Sequence, residues 1–308
     1  MFPLTCLHGS SLNAKTMYSD VRVLVIGAGA LGCELLSQLA MTGFKNIVVV
    51  DMDTIELSNL SRHSLGRHTN IGSSKALVSA ASISKRFSIK CIGLDKRIEE
   101  MSTSFFADFN VIFCAVDTVE TRMWINGIVH ELRKHVILID TGTEGWMGHV
   151  RLAIPGIKGC LFCTRNLYLA DDGINLMPLC TLKGRPSKPE HCVDWALSIA
   201  WPRHNTHEFD PHNSNDLEVL HQLASNFAKE HGICSVTCDF VRDYVVRIIP
   251  GIISTTTMVA GLAVLVAQRA LSSQFDGDNF WFINGQASLN WTSMSLDNNP
   301  DCIVCGSK

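Results

Sequence analysis

The sequence predicts an α/β fold, a largely parallel sheet interrupted by an inserted segment, on three observations. A glycine-rich loop separates an apolar run from a helix-spaced one in "VLVIGAGALGCELL", residues 23–36. Short apolar runs then alternate with helix-spaced segments as far as Asp140, the order that yields parallel strands covered on both faces. Between Tyr168 and Val236, prolines, histidines and polar residues break that pattern before apolar periodicity resumes. Together these describe a Rossmann-like sheet with an insert.

Taken in order, Val21 to Ile26 reads as a buried strand, and Leu31, Leu35, Leu36 and Leu39 recur on one helical face that Gly43 closes. Gly27, Gly29 and Gly32 fit G-x-G-x-x-G, in which glycine lets the backbone approach a phosphate aimed at the helix N-terminus. "NIVVVD" is a second buried strand ending at Asp51; a helix comes next near 74–87, then a strand at 90–94, a strand in "NVIFCAV", a helix over 119–133 and a strand in "HVILID". Ligands of such sheets sit at the strands' carboxyl ends, here Gly27, Asp51, Asp117 and Asp140 to Gly142. The aromatic and polar alternation of "FWFINGQASLNWTSMSL" predicts a terminal hairpin.

The 308 residues carry a formal net charge of −3, which offers no basic footprint for nucleic acid. The opening "MFPLTCLHGSSLNAK" has no charged region leading into a long apolar one, so a cytoplasmic or nuclear protein is expected. Residues 248–268 are uncharged and long enough to cross a bilayer. Four consecutive hydroxyl residues, Ser254 to Thr257, dilute that run and favour a buried core helix, with no membrane partner. Twelve cysteines in this setting argue for metal binding or catalysis over disulfides. Cys33, Cys91 and Cys114 lie in apolar patterns and read as core.

Asp51 lies nineteen residues after Gly32, which alone suits a dinucleotide ribose and a dehydrogenase. The residues beyond Asp51 suit a triphosphate better: Asp53, Asn59 and Arg62 occupy the loop leaving the second strand, and Lys75 lies in "IGSSKA". Asp117 offers a carboxylate for Mg2+. The pairs Cys160/Cys163 and Cys302/Cys305 are two C-x-x-C motifs, four thiolates for a tetrahedral zinc despite their wide separation. Cys234, Cys238, His204, His207 and His212 form no comparable quartet and read as core or loop. Cys180 is close behind a proline and precedes Lys183 and Arg185, cations that favour a thiolate; Cys192 in "PEHC" is its local competitor.

"VLVIGAGALGCELL", "VVDMDTIELSNLSRH", "IGSSKA", "CAVD" and "LIDTGTEGWMGHVRLAIPG" occur in an order and spacing that resemble the ubiquitin-activating enzyme superfamily, of ThiF-type adenylation fold. "MPLCT", "KPEHC" and "VVRIIPGIIST" most resemble its neddylation (Rub) branch of catalytic subunits, over roughly residues 21–305. The resemblance implies an adenylation domain over 21–167 and 237–308, a mainly helical catalytic-cysteine insert over 168–236, and an N-terminal extension over 1–20. It implies ATP held by Asp51 on the ribose and by Asn59, Arg62 and Lys75 on the phosphates, with Mg2+ on Asp117 and a vaguer role for Asp53.

It further implies that Cys180 attacks the acyl-adenylate, that the four C-x-x-C cysteines share one structural zinc, and that Arg151 repels the arginine near ubiquitin's C-terminus. The implied partners are a regulatory subunit forming a heterodimer, a ubiquitin-like modifier and its conjugating enzyme. His63, Ser64 and Gly66 depart from the family's glutamine and aromatic residues, and the family's C-terminal ubiquitin-like domain is expected to be absent. A sulfur-carrier adenylyltransferase and a non-enzymatic subunit of the same fold are the rival readings.

Overall fold

The structure is a computed structural model that describes residues 18–132, 136–165, 167, 186, 188–204, 207, 209–211, 213–234, 236–246, 252–272, 277–285 and 289–306. Cys180, His212 and the N-terminal extension up to residue 17 lie outside the described residues. The chain forms two compact units, residues 1–166 with 251–308, and residues 167–250.

The first unit is built on one eight-stranded sheet of order β3-β2-β1-β4-β5-β6-β7-β8. Strands β1 (Arg22–Ile26), β2 (Asn46–Val50), β3 (Lys90–Leu94), β4 (Val111–Cys114) and β5 (Ile137–Glu144) are parallel. Helices α1 (Ala30–Thr42), α2 (Lys75–Phe87), the short α3 (Thr103–Phe106) and α4 (Val119–Glu131) intervene. All four residues of β4 and four of five in β1 are buried, as strands covered on both faces require. Gly43 ends α1 in the left-handed region, φ 107°, and its N–H bonds back to Ala40. β1 lies between β2 and β4, so the sheet's order reverses beside the glycine loop, where such sheets bind ligands.

Beyond β5 the sheet turns antiparallel through β6 (Met147–Ala153), β7 (Phe280–Asn284) and β8 (Asn290–Met294). The last two form the expected hairpin. β6 is not anticipated by the sequence: Gly142 and polar neighbours break the apolar run, yet β5 continues to Glu144 and turns at Gly145, φ 52°. The uncharged segment forms α9 (Ile253–Leu271), a core helix whose Val259, Ala260, Ala263, Val264 and Ala267 pack in the same cluster as Leu35, Leu36 and Leu39 of α1. The hydroxyl of buried Thr256 is satisfied within the helix, since its Oγ1 donates to the Ile252 carbonyl at 3.1 Å.

The second unit is helical in its described residues, with α5 (Pro189–Trp195), α6 (Trp201–His204), α7 (Ser214–Glu230) and α8 (Cys238–Val246). It extends past the boundary expected at Val236. The apolar residues of α8 read as a return to the sheet domain, but Val241 joins Val193, Leu220 and Ala224 in the insert's own core.

Candidate functional site

The glycine loop is fixed by contact and torsion at two of its three glycines. Gly27 has φ 98°, and a Cβ there would lie 2.5 Å from the Ala115 carbonyl oxygen; at Gly32 it would lie 2.1 Å from the carbonyl oxygen of Gly27. Gly29 differs: nothing lies within 4 Å of the Cβ it lacks. It is also the N-cap of α1, and it supplies no side-chain cap, nor is any acidic residue in the first turn. The helix therefore offers its first amides to an anion, with room for close approach. Gly32→Ala is expected to destabilise the chain by about 1–3 kcal/mol. Gly29→Ala should leave the melting temperature nearly unchanged while weakening ATP binding, a contrast that thermal unfolding and nucleotide titration read directly.

Asp51 closes the loop from the end of β2. Its Oδ2 accepts the Ala28 N–H at 2.6 Å and its Oδ1 the Asp53 N–H at 2.8 Å. Burial raises its carboxyl above the ordinary aspartate range, and those two amides oppose the rise. The strand-like pairing of Thr54 with Ser74 and the Lys75 N–H to Asp53 carbonyl bond, 2.9 Å, bring the start of α2 beside this loop. Lys75 Nζ then reaches Asp53 Oδ2 at 2.8 Å, with Asp53 55% exposed and Lys75 14%. A pair this open on the carboxylate side is worth about 0–1 kcal/mol, so Asp53 holds the ammonium only lightly.

Asp53, Asn59 and Lys75 line one cleft of ≈ 430 Å³ with Met52, Thr54 and Glu56. Asn59 Oδ1 caps the Glu56 N–H at 3.2 Å. Arg62 is half-buried in the next turn, its N–H on the Asn59 carbonyl at 3.0 Å. Asp117 is exposed just beyond β4, whose neighbour in the sheet is β1. Of the expected nucleotide residues, Asp53, Asn59 and Lys75 thus share one cleft, while Arg62 and Asp117 follow on the segments beyond the carboxyl ends of β2 and β4; an exposed carboxylate suits a hydrated Mg2+.

Behind Asp117 lies a network that sequence reading missed. Arg122 is buried on α4 and its guanidinium donates to Asp140 Oδ1 at 2.5 Å, to the Thr141 carbonyl at 2.8 Å and to the Val116 carbonyl. His149 Nε2 meets the other oxygen of Asp140 at 3.1 Å. Burial alone would raise the Asp140 carboxyl, but Arg122 and His149 hold it below the ordinary range. The only sequence signal was a charged residue inside the apolar run "TRMWINGIV".

The four C-x-x-C sulfurs converge. Cys160 lies 3.8 Å from Cys163 and 3.6 Å from Cys302, Cys163 lies 3.2 Å from Cys305, and all four are within 4.8 Å of one another. Zinc at about 2.3 Å from each sulfur gives tetrahedral edges of about 3.8 Å, whereas a disulfide needs about 2.05 Å. The set therefore fits a tetrathiolate metal centre.

Three other expectations meet the structure. Cys192, the local competitor to Cys180, is fully buried on α5 in one cluster with Phe227 and Ala228, and burial raises its thiol, surroundings that disfavour a thiolate. Arg151 departs from its expected place: it is fully buried on β6 and donates to the Gly159 carbonyl at 2.9 Å and, at 3.5 Å, to that of Leu296. Facing those carbonyls, it ties β6 to the cysteine-bearing segments and is not presented to a modifier. His63, the departure from the family pattern, is buried with Nε2 3.4 Å from Cys33 Sγ. Burial lowers the imidazole and pushes the Cys33 thiol up to about 12, so both are neutral packing groups.

A family model described as the ThiF family matches residues 11–304. The chain is 33% identical to the Nedd8-activating enzyme E1 catalytic subunit of Drosophila melanogaster, over 96% of this chain and 68% of that protein. It is 35% identical to the corresponding subunit of Arabidopsis thaliana, over 93% and 65%, and 32% identical to that of Saccharomyces cerevisiae, over 93% and 98%. Among solved structures, the fold resembles that of E. coli MccB crystallised with AMPCPP and MccA, with a TM-score of 0.59 and 16% identity over 94% of this chain and 67% of that one. Matched by that family model along almost its whole length, and about a third identical to these subunits from fly, plant and yeast, the chain belongs to the ThiF family, in the group of NEDD8-activating enzyme catalytic subunits.

Proposed function

We propose that this chain activates a ubiquitin-like modifier of the neddylation pathway with ATP, stores it as a thioester on Cys180 and passes it to a conjugating enzyme. The observation that carries this reading is the uncapped N-terminus of α1, open at Gly29. The modifier's carboxylate oxygen attacks the α-phosphorus of ATP and pyrophosphate leaves, giving a mixed anhydride. The thiol of Cys180 then forms a bond to the acyl carbon and AMP departs. The protein's share of the first step is positioning and charge: α1 amides, Lys75, Arg62 and Asn59 on the phosphates, Asp51 on the ribose. Asp117 would hold Mg2+, which supplies charge neutralisation on the phosphates. Zinc on Cys160, Cys163, Cys302 and Cys305 would be structural. The relatives' designation as catalytic subunits supports a heterodimer with a regulatory subunit.

The test is thioester charging with a regulatory subunit, Mg-ATP and the neddylation modifier, resolved without reductant, alongside modifier-dependent pyrophosphate exchange. Cys180→Ala is expected to lose the adduct and keep exchange, and Lys75→Ala to slow exchange about 10²–10³-fold. An adduct surviving Cys180→Ala overturns the nucleophile; no exchange with any modifier favours a scaffold of the same fold.

A further inference from the structure

The cysteine cluster has a buried neighbour with no assigned part. Asn126 lies on α4, one turn beyond Arg122, and is fully buried. Its Oδ1 accepts the N–H of Leu161, the residue that follows Cys160, at 2.9 Å. That bond fixes the amide's orientation, because a backbone N–H needs an acceptor. The Nδ2 group therefore points away from Leu161, and among the described residues it has no hydrogen-bond partner. Leaving such a donor buried and unmet is costly. Because Leu161 directly follows Cys160, that bond seats the carboxamide against the backbone next to the Cys160 thiol. A neutral thiol accepts weakly, whereas a metal-bound thiolate is a charged acceptor that would satisfy this donor.

We propose that Asn126 is the positioning residue of the metal centre: Oδ1 sets the backbone between Cys160 and Cys163, and Nδ2 donates to the Cys160 thiolate when zinc is bound. The proposal deepens the structural-zinc reading and rests on it. Each half of the amide has a separate job, and both act on the same two-residue spacing. Outer contacts of this kind orient ligands and temper their charge, and their loss typically lowers metal affinity about 10–100-fold.

The experiment uses the full chain with its regulatory subunit. Zinc content of the purified protein is measured first, then the rate of zinc release to a chromogenic chelator, with thermal unfolding as a folding control. Asn126→Asp keeps the acceptor for Leu161 and replaces the donor by a group that repels thiolate. Zinc release about tenfold faster or more, with Leu161 still held, is the expected result. Asn126→Ser, which adds no charge and loses the donor's reach, should move in the same direction and serves if the aspartate variant does not fold. Release within twofold of wild type in a folded variant overturns the donor role. Absence of zinc from the wild-type protein overturns the metal reading itself, a distinct failure.

Discussion

Arg122→Met is expected to cost about 3–5 kcal/mol of stability at neutral pH, the usual effect of leaving one partner of a buried ion pair alone. Asp140 is fully buried, and its compensation comes from Arg122 at 2.5 Å and His149 at 3.1 Å. Methionine fills similar volume, so the loss is chiefly electrostatic. The pH dependence separates this from a packing defect. In the wild type the Asp140 carboxyl is held below its ordinary value, so its contribution is present above the unfolded aspartate range and is lost as pH falls through the folded value. Without Arg122, burial dominates and raises the carboxyl, so the folded variant takes up a proton on acidification. The gap between the two proteins, measured by urea unfolding, should narrow as pH falls. A gap independent of pH would mean that Arg122 acts by packing alone. Because the same guanidinium holds the Val116 carbonyl beside Asp117, nucleotide use should fall with stability. Arg122→Met with Asp140→Leu removes both charges and should recover part of the loss.

The glycine loop and the Asp53–Lys75 cleft could be read together because their links are local in sequence. Glycines at fixed spacing, an aspartate ending an apolar strand and cations on the next loop are read within a few dozen residues, and Lys75 with Asp53 shows how short those links are. The cysteine quartet was legible for the opposite reason: cysteine pairs are rare enough to be recognised across the length of the chain. What stayed hidden depends on the fold itself. Arg122 and Asp140 are eighteen residues apart on different elements, and only the packing of α4 against β5 makes them a pair. The selectivity role of Arg151 came from resemblance alone, and nothing in "GHVRLAIPG" reveals that β6 is an interior strand of the sheet. Asn126 carries no sequence signal, since its partner Leu161 lies thirty-five residues away. The insert's end was misplaced because an amphipathic helix closing one core reads the same as the first helix of the next.

Chelation of the metal, or Cys302→Ser, is expected to loosen the chain from about residue 290 to 306 while the parallel part of the sheet stays folded. Structural zinc contributes about 10–16 kcal/mol in zinc-finger peptides, comparable to or above the net stability of a whole domain, about 5–15 kcal/mol. Unfolding of the entire chain would result if zinc were its main support. Here the strands β1 to β5 with α1 and α9 bury their own extensive core, so the effect should stay near the cysteines. The segment after β8 has few other anchors: Leu296 bonds Asn279 through N–H to Oδ1 at 2.7 Å and through its carbonyl to Nδ2 at 3.1 Å, and the same carbonyl takes the longer Arg151 bond. Gly159, next to Cys160, lies so close to the 296–297 backbone that a Cβ there would meet the Asp297 carbonyl oxygen at 2.5 Å. That contact is held from both sides by the cysteine pairs, so releasing one pair should part it. Hydrogen exchange should therefore show protection lost around residues 290–306 and 158–164 and kept in β1, β2 and β4. Uniform loss across the sheet would make the metal a support of the whole core; unchanged protection would mean that backbone packing alone holds the chain's end in place.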